Sequence, residues 1–90
     1  MKKIEKILEK TLKALANRRR LGILQYLKEN REASVTEIAA AIHLSFKATS
    51  KHLGILASLD IVDRDQRRLQ MFYRLSQDQS RATKSILYLL

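Results

Sequence analysis

Apolar residues recur at helical spacing along most of the chain and change to alternation only in its last third. Over residues 2–15, Ile4, Ile7, Leu8, Leu12 and Leu15 fall three or four apart with Lys and Glu between them, a pattern that predicts an amphipathic helix. Asn17 suits the N-cap of a second helix over about 18–29, because its side-chain oxygen can accept from a free amide of the first turn. Leu21, Leu24 and Leu27, with Ile23, form that helix's inward face, and Asn30, Arg31 and Glu32 mark its end. Thr36 is the expected cap of a short helix over 37–42 that buries Ile38, Ala39 and Ile42. His43-Leu44 then makes a tight turn, and Ser45 caps a helix over about 46–59. Thr49, Leu53 and Leu56 lie on its inner face at i, i+4 and i+7. Asp60 takes the helix-ending position, where a left-handed conformation would come more easily to glycine or asparagine.

Residues 61–64 and 70–75 read as strands. In the second, Met71, Tyr73 and Leu75 alternate with Phe72 and Arg74, the period-two signature of a strand. Asp65-Gln66-Arg67-Arg68 is the expected turn, with Leu69 joining the second strand. Ser76 is the expected cap of a last helix over about 77–89. The order α-α-α-α-β-β-α describes a mainly α fold with a small β-hairpin wing, an α+β winged helix-turn-helix. The chain contains no proline, two glycines and no linker-like stretch, so residues 1–90 read as a single domain.

Composition narrows the chemistry. Eighteen Lys and Arg against nine Asp and Glu give a formal charge of +9, and a polyanion is the natural partner of such a surface. There is no cysteine, hence no disulfide, thiolate metal site or cysteine nucleophile. No apolar run nears the ~20 residues of a membrane span, and the N-terminus, alternating charge with Ile and Leu, is unlike a signal peptide. A soluble intracellular protein with no membrane partner is the expectation. No nucleophile–base pair and no phosphate-cradling glycine loop is present, which argues against an enzyme.

A short apolar helix, a turn and a second helix with small polar and basic residues on its free face suit insertion into the DNA major groove. Lys47 and Lys51 stand one turn apart, able to reach guanine edges or phosphates, and Ser50 can bond either. Ser45 sits at the helix start. Phe46 either meets a thymine methyl or folds back onto the protein, with partial burial favoured. Arg67 and Arg68 lie at the hairpin tip with Arg64 nearby, where they could follow the backbone or enter a narrow minor groove; Asp63 and Asp65 dilute that patch. Arg18, Arg19 and Arg20 open a helix against its dipole, which makes Arg18 and Arg19 secondary candidates for phosphate contact.

Two longer stretches bear a family resemblance. Leu15-Ala16-Asn17-Arg18-Arg19-Arg20-Leu21-Gly22-Ile23-Leu24 resembles the "LADPTRLRIL" opening of the ArsR/SmtB-type repressors. Ser45 to Leu56 resembles their "S-x-x-T-V-S-x-H-L-x-x-L" recognition helix, and Ile61-Val62 with Tyr73-Arg74-Leu75 resembles their wing. The likeness covers roughly residues 12–76. It implies a bacterial or archaeal cytoplasmic repressor that binds double-stranded DNA as a homodimer. His52 matches the family's recurrent histidine, either a phosphate or base contact or a hydrogen-bonded scaffold side chain, and Arg20 matches a position that is often structural. The terminal helices sit where the family places its dimer interface, which implies Ile4, Ile7, Leu8 and Leu12 paired with Ile86, Leu87, Leu89 and Leu90.

The resemblance fails at the family's metal sites. Its "ELCVCDL" thiolate motif aligns with Glu32 to Ile38, where Ser34 and Thr36 replace the cysteines; hydroxyls are poor ligands for soft or borderline metals. The family's other site needs histidines on the last helix, which offers Asp78 but no histidine. His43, in the turn, reads as a surface residue. The expectation is no metal, no cofactor and no metal sensing through either site. The leading reading is a dimeric, sequence-specific transcriptional regulator on a pseudo-palindromic operator, with repression implied by the resemblance alone. The alternatives are a winged-helix protein-interaction module and a non-specific architectural DNA-binding protein.

Overall fold

A computed structural model describes residues 2–90. Helices α1 (Lys2–Leu15) and α2 (Arg18–Glu29) are followed by a short strand β1 (Ala33–Ser34), helices α3 (Val35–Ile42) and α4 (Phe46–Ser58), strands β2 (Val62–Arg67) and β3 (Gln70–Leu75), and helix α5 (Arg81–Leu89). The helix-turn-helix with its hairpin wing is present, and β1 completes an antiparallel sheet of order β1-β3-β2.

The caps decide where the helices begin. Asn17 accepts the Arg20 amide at α2 and Ser45 accepts the Ala48 amide at α4, both as expected. The third helix starts two residues earlier than expected, at Val35 instead of Glu37. Its cap is Ser34, not Thr36: the Ser34 hydroxyl accepts the Glu37 amide while the Glu37 carboxylate accepts the Ser34 amide, a reciprocal pair that satisfies two otherwise free donors. The last helix starts later, at Ser80 rather than Ser76. Ser76 is buried and its hydroxyl donates to Asp63 at 2.6 Å, so it joins the wing instead of opening a helix. The hairpin turn is also shorter: pairing runs from Val62↔Leu75 to Arg67↔Gln70, leaving only Arg68 and Leu69 in the turn.

The core joins α2, α3, α4 and the sheet. Ile23, Leu24, Leu27, Ile38, Leu53, Leu56, Ile61 and Val62 are almost fully buried, with Ala33, Val35 and Tyr73 closing around them. Leu21 and Ile42 are only half-buried. Asp60 adopts φ 57, the left-handed conformation expected where α4 ends.

Candidate nucleic-acid interface

α4 is anchored by Thr49, Leu53 and Leu56, all completely buried. At 3.6 residues per turn, Lys47, Ser50, Lys51 and Gly54 fall within an arc of about 100° on the opposite side. Lys47 and Lys51 are exposed and Ser50 and Gly54 half-exposed. Among the described residues only Lys13 and Arg67 form ion pairs, so neither lysine of α4 is neutralised. A Cβ placed on Gly54 would meet no atom within 4 Å, which leaves the helix backbone open to close approach on this flank. Ser45 is exposed while its hydroxyl caps the helix. Phe46 is 59% exposed, against the expectation of partial burial: it opens the helix one turn before the inward-facing Thr49 and stands outside the buried core.

His52 faces α2. Arg20 donates from Nη1 to His52 Nδ1 at 3.0 Å, from Nε to the Ala14 carbonyl and from Nη2 to the Lys13 carbonyl at 3.4 Å. A guanidinium has only donors, so His52 Nδ1 must accept, and the neutral ring carries its proton on Nε2. Desolvation, and after it the charges of Arg20, Arg19 and Lys51, hold the imidazole below its ordinary pKa. Arg20 thus ties the end of α1 to the recognition helix. Arg19 donates to the Ile42 carbonyl at 3.3 Å, at the end of α3; Arg18 is exposed.

The wing treats its four arginines differently, and Arg74, on β3, is exposed and forms no ion pair among the described residues. Arg64 and Arg68 are exposed with no carboxylate within ion-pair distance. Arg68 has φ 55, a conformation that costs a non-glycine residue about 1–2 kcal/mol, and its carbonyl accepts the Gln66 side-chain amide at 2.8 Å. Leu69 beside it is 98% exposed. Arg67, by contrast, lies over the Phe72 ring, 4.6 Å from the centroid. It grips both Glu32 oxygens, the Nη2–Oε1 bond being 2.9 Å, and donates from Nε to Asp65 at 3.0 Å. The Arg67 hydrogen bonds, above all, hold the Glu32 carboxyl below its usual range. The sequence does not mark Glu32 as a partner of Arg67, because that contact spans 35 positions and no local pattern announces it.

Away from this face, α1 and α5 pack together and leave an apolar surface. Ile4 and Ile7 are 68% and 65% exposed, Leu8 and Leu12 less so, and Leu89 is 78% exposed. Ile86, Leu87 and Leu90 instead pack partly against the core, and Lys28 donates to the Leu87 carbonyl at 2.7 Å. Tyr88, which the sequence reading left out, is more exposed than any of them. An apolar groove lined by Leu12, Leu15, Ala16, Leu21, Ile86 and Leu89 continues this surface. Ser34, at one of the two former cysteine positions, is a buried helix cap, and Thr36, at the other, is exposed. Among the described residues no helix is long and apolar enough to cross a membrane.

The family model described as bacterial regulatory protein, arsR family, matches residues 17–64, which run from the cap of α2 into β2. The transcriptional activator HlyU of Vibrio cholerae is 39% identical over 79 residues, covering 88% of this chain and 72% of HlyU. The structure of reduced HlyU from that organism superposes with a TM-score of 0.81 at 38% identity, covering 100% of this chain and 90% of the other. The transcriptional repressor BigR of Xylella fastidiosa gives a TM-score of 0.77 at 30% identity, with 99% and 88% covered. The homodimeric winged helix-turn-helix DNA-binding domain of a possible ArsR-family regulator from Mycobacterium bovis gives 0.79 at 28%, with 96% and 76% covered. With its caps, its solvent-facing recognition helix and its wing in this arrangement, the chain belongs to the ArsR family of winged helix-turn-helix, DNA-binding transcriptional regulators.

Proposed function

We propose that the protein acts as a homodimer on a pseudo-palindromic duplex site, with α4 reading base edges and the wing following the adjacent backbone. The carrying observation is the unneutralised flank of α4: Lys47, Ser50, Lys51 and Gly54 on one arc, opposite a helix face locked into the core. Lys47, Lys51 and Ser50 supply base-edge and phosphate contacts, Ser45 and Phe46 meet the duplex at the helix start, and Arg64 and Arg68 neutralise phosphates beside it. His52, through its Nε2 proton, donates toward a backbone oxygen.

Dimerisation accounts for the apolar α1–α5 face, since contiguous exposed apolar surface of this kind marks an interaction site. Ile4, Ile7, Leu8, Leu12 and Leu89, with Tyr88, form its exposed part; Ile86, Leu87 and Leu90 back it from the core side. A twofold axis there would set two recognition helices about 34–36 Å apart on successive major grooves. HlyU is named an activator and BigR a repressor, so the fold serves both signs. Here occupancy of a promoter-overlapping site would block transcription, and the protein would work where the chromosome is, in the bacterial cytoplasm.

Selection of bound sequences from a random duplex pool, with light scattering on the free protein, tests this reading. The expected outcome is an inverted-repeat consensus and twice the chain mass. Leu89→Asp, exposed and therefore harmless to the monomer core, should lower both dimer content and affinity. Binding with no sequence preference, or full affinity from a stable monomer, would refute it.

A further inference from the structure

The placement of Arg67 sets it apart from every other cation on the DNA-facing side. It starts on β2, the outer strand of the hairpin, and reaches over β3 to Glu32, just before β1. Its guanidinium crosses the sheet on top of Phe72, which pairs with Asp65 on one side and Ser34 on the other. Ser34 is in turn the cap of α3. One side chain therefore connects the free edge of the wing to the segment that opens the helix-turn-helix. Its donors meet two carboxylates, Glu32 and Asp65, and those carboxylates would repel an approaching phosphate. The bidentate fork also matches carboxylate geometry in a way a lysine could not.

We propose that Arg67 is a positioning residue that latches the wing to the helix-turn-helix, and that it does not itself neutralise a phosphate. The proposal rests on the DNA-binding reading above for its functional consequence. Beyond the β1 pairing at Phe72 and Tyr73 the wing is only two strands wide, a width that is marginally stable alone, and its tip carries a left-handed Arg68. Ordering such a loop on binding costs free energy that a pre-ordered tip does not lose. With the latch closed, Arg68 and Leu69 stand at a fixed place relative to α4. With it open, the tip must be ordered by the DNA.

Glu32→Ala separates the two roles of Arg67, because it removes a negative charge from the DNA-facing side and frees the guanidinium. Were Arg67 a phosphate ligand, Glu32→Ala would tighten binding, and Arg67→Gln would lower the salt slope of log K by about 1. For a latch, Glu32→Ala and Arg67→Gln each weaken binding about threefold to tenfold, and the double variant is no worse than either single one. The salt slope of Arg67→Gln then stays at the wild-type value, while Arg68→Gln lowers it. Amide exchange at residues 66–70 of the free protein provides the second readout. It should accelerate in both single variants before any DNA is added. Tighter binding by Glu32→Ala, additive losses in the double variant, or unchanged exchange at the tip would overturn the latch. If the wild type binds no duplex, the DNA reading fails, and the exchange measurement alone still decides whether the latch exists.

Discussion

The recognition helix and the wing hold their exposed positive charge by opposite means. On α4, position is fixed from beneath: Thr49, Leu53 and Leu56 are completely buried, and the cations on the other flank remain unpaired. On the wing, residues 66–70 are all exposed. There one arginine of four is engaged by Glu32, Asp65 and Phe72, and Arg64, Arg68 and Arg74 form no ion pair among the described residues. A helix half-buried in a core can leave every outward charge unpaired, whereas a projecting hairpin needs some of its own charge to hold its shape.

The sharpest way to break this comparison is to remove one cation from each region. Lys51→Ala should cost about 1–3 kcal/mol of binding to the preferred site and relax base preference, as expected for a lost base-edge contact. Arg68→Ala should weaken binding nearly equally on all sequences, with a salt slope smaller by about 1. Affinity measured on consensus and scrambled duplexes at several salt concentrations distinguishes the two. If both variants lose affinity equally on every sequence, α4 reads no bases and the contrast between the regions disappears.

A smaller effect is expected at Gly54. Glycine in a helix interior is less stable than alanine by roughly 0.5–1 kcal/mol, and here an added Cβ has open space in the free protein. Gly54→Ala should therefore raise the thermal midpoint by a few degrees. The same variant should lower DNA affinity if the proposed reading face is correct, because the methyl would stand on that flank. Higher stability with unchanged affinity would mean that this arc does not face DNA, and would move the reading surface elsewhere on the helix.

What the sequence made legible divides along the same line. The helical stripes, the caps at Asn17 and Ser45, the buried face of α4 and the left-handed Asp60 all follow from residues a few positions apart. The cap at Ser34 is legible as well, since Ser34-Val35-Thr36-Glu37 has the spacing of a reciprocal cap. β1 was not legible. Two residues carry no period, and their pairing with Tyr73 and Phe72 lies some forty positions away. Ser76 and Ser80 are both serines able to cap, and only long-range bonds, the Ser76 hydroxyl to Asp63 and the Ser76 amide to the Ile61 carbonyl, assign Ser76 to the wing. The Arg67 latch belongs to this second class, so charge counting along the chain placed Arg67 with Arg64 and Arg68.

His52 provides the smallest test, and it lies on α4, turned toward Arg20 of α2. Its pKa is lowered from the ordinary 6.5, first by desolvation and then by Arg20, Arg19 and Lys51. A folded-state pKa below the unfolded one means that the unfolded chain binds the proton first as pH falls. Stability from this site is therefore complete above about 6.5 and declines as pH drops through the lowered folded-state value. Protonation would also place a donor on Nδ1, which must accept from Arg20, so the link from α1 to α4 breaks in the same window. Denaturant midpoints between pH 8 and pH 5 should fall for the wild type and fall less for His52→Gln. The ring is only partly buried, so the difference is small. Equal pH profiles would show that the Arg20–His52 contact contributes nothing to the placement of the recognition helix, which would then depend on its buried face alone.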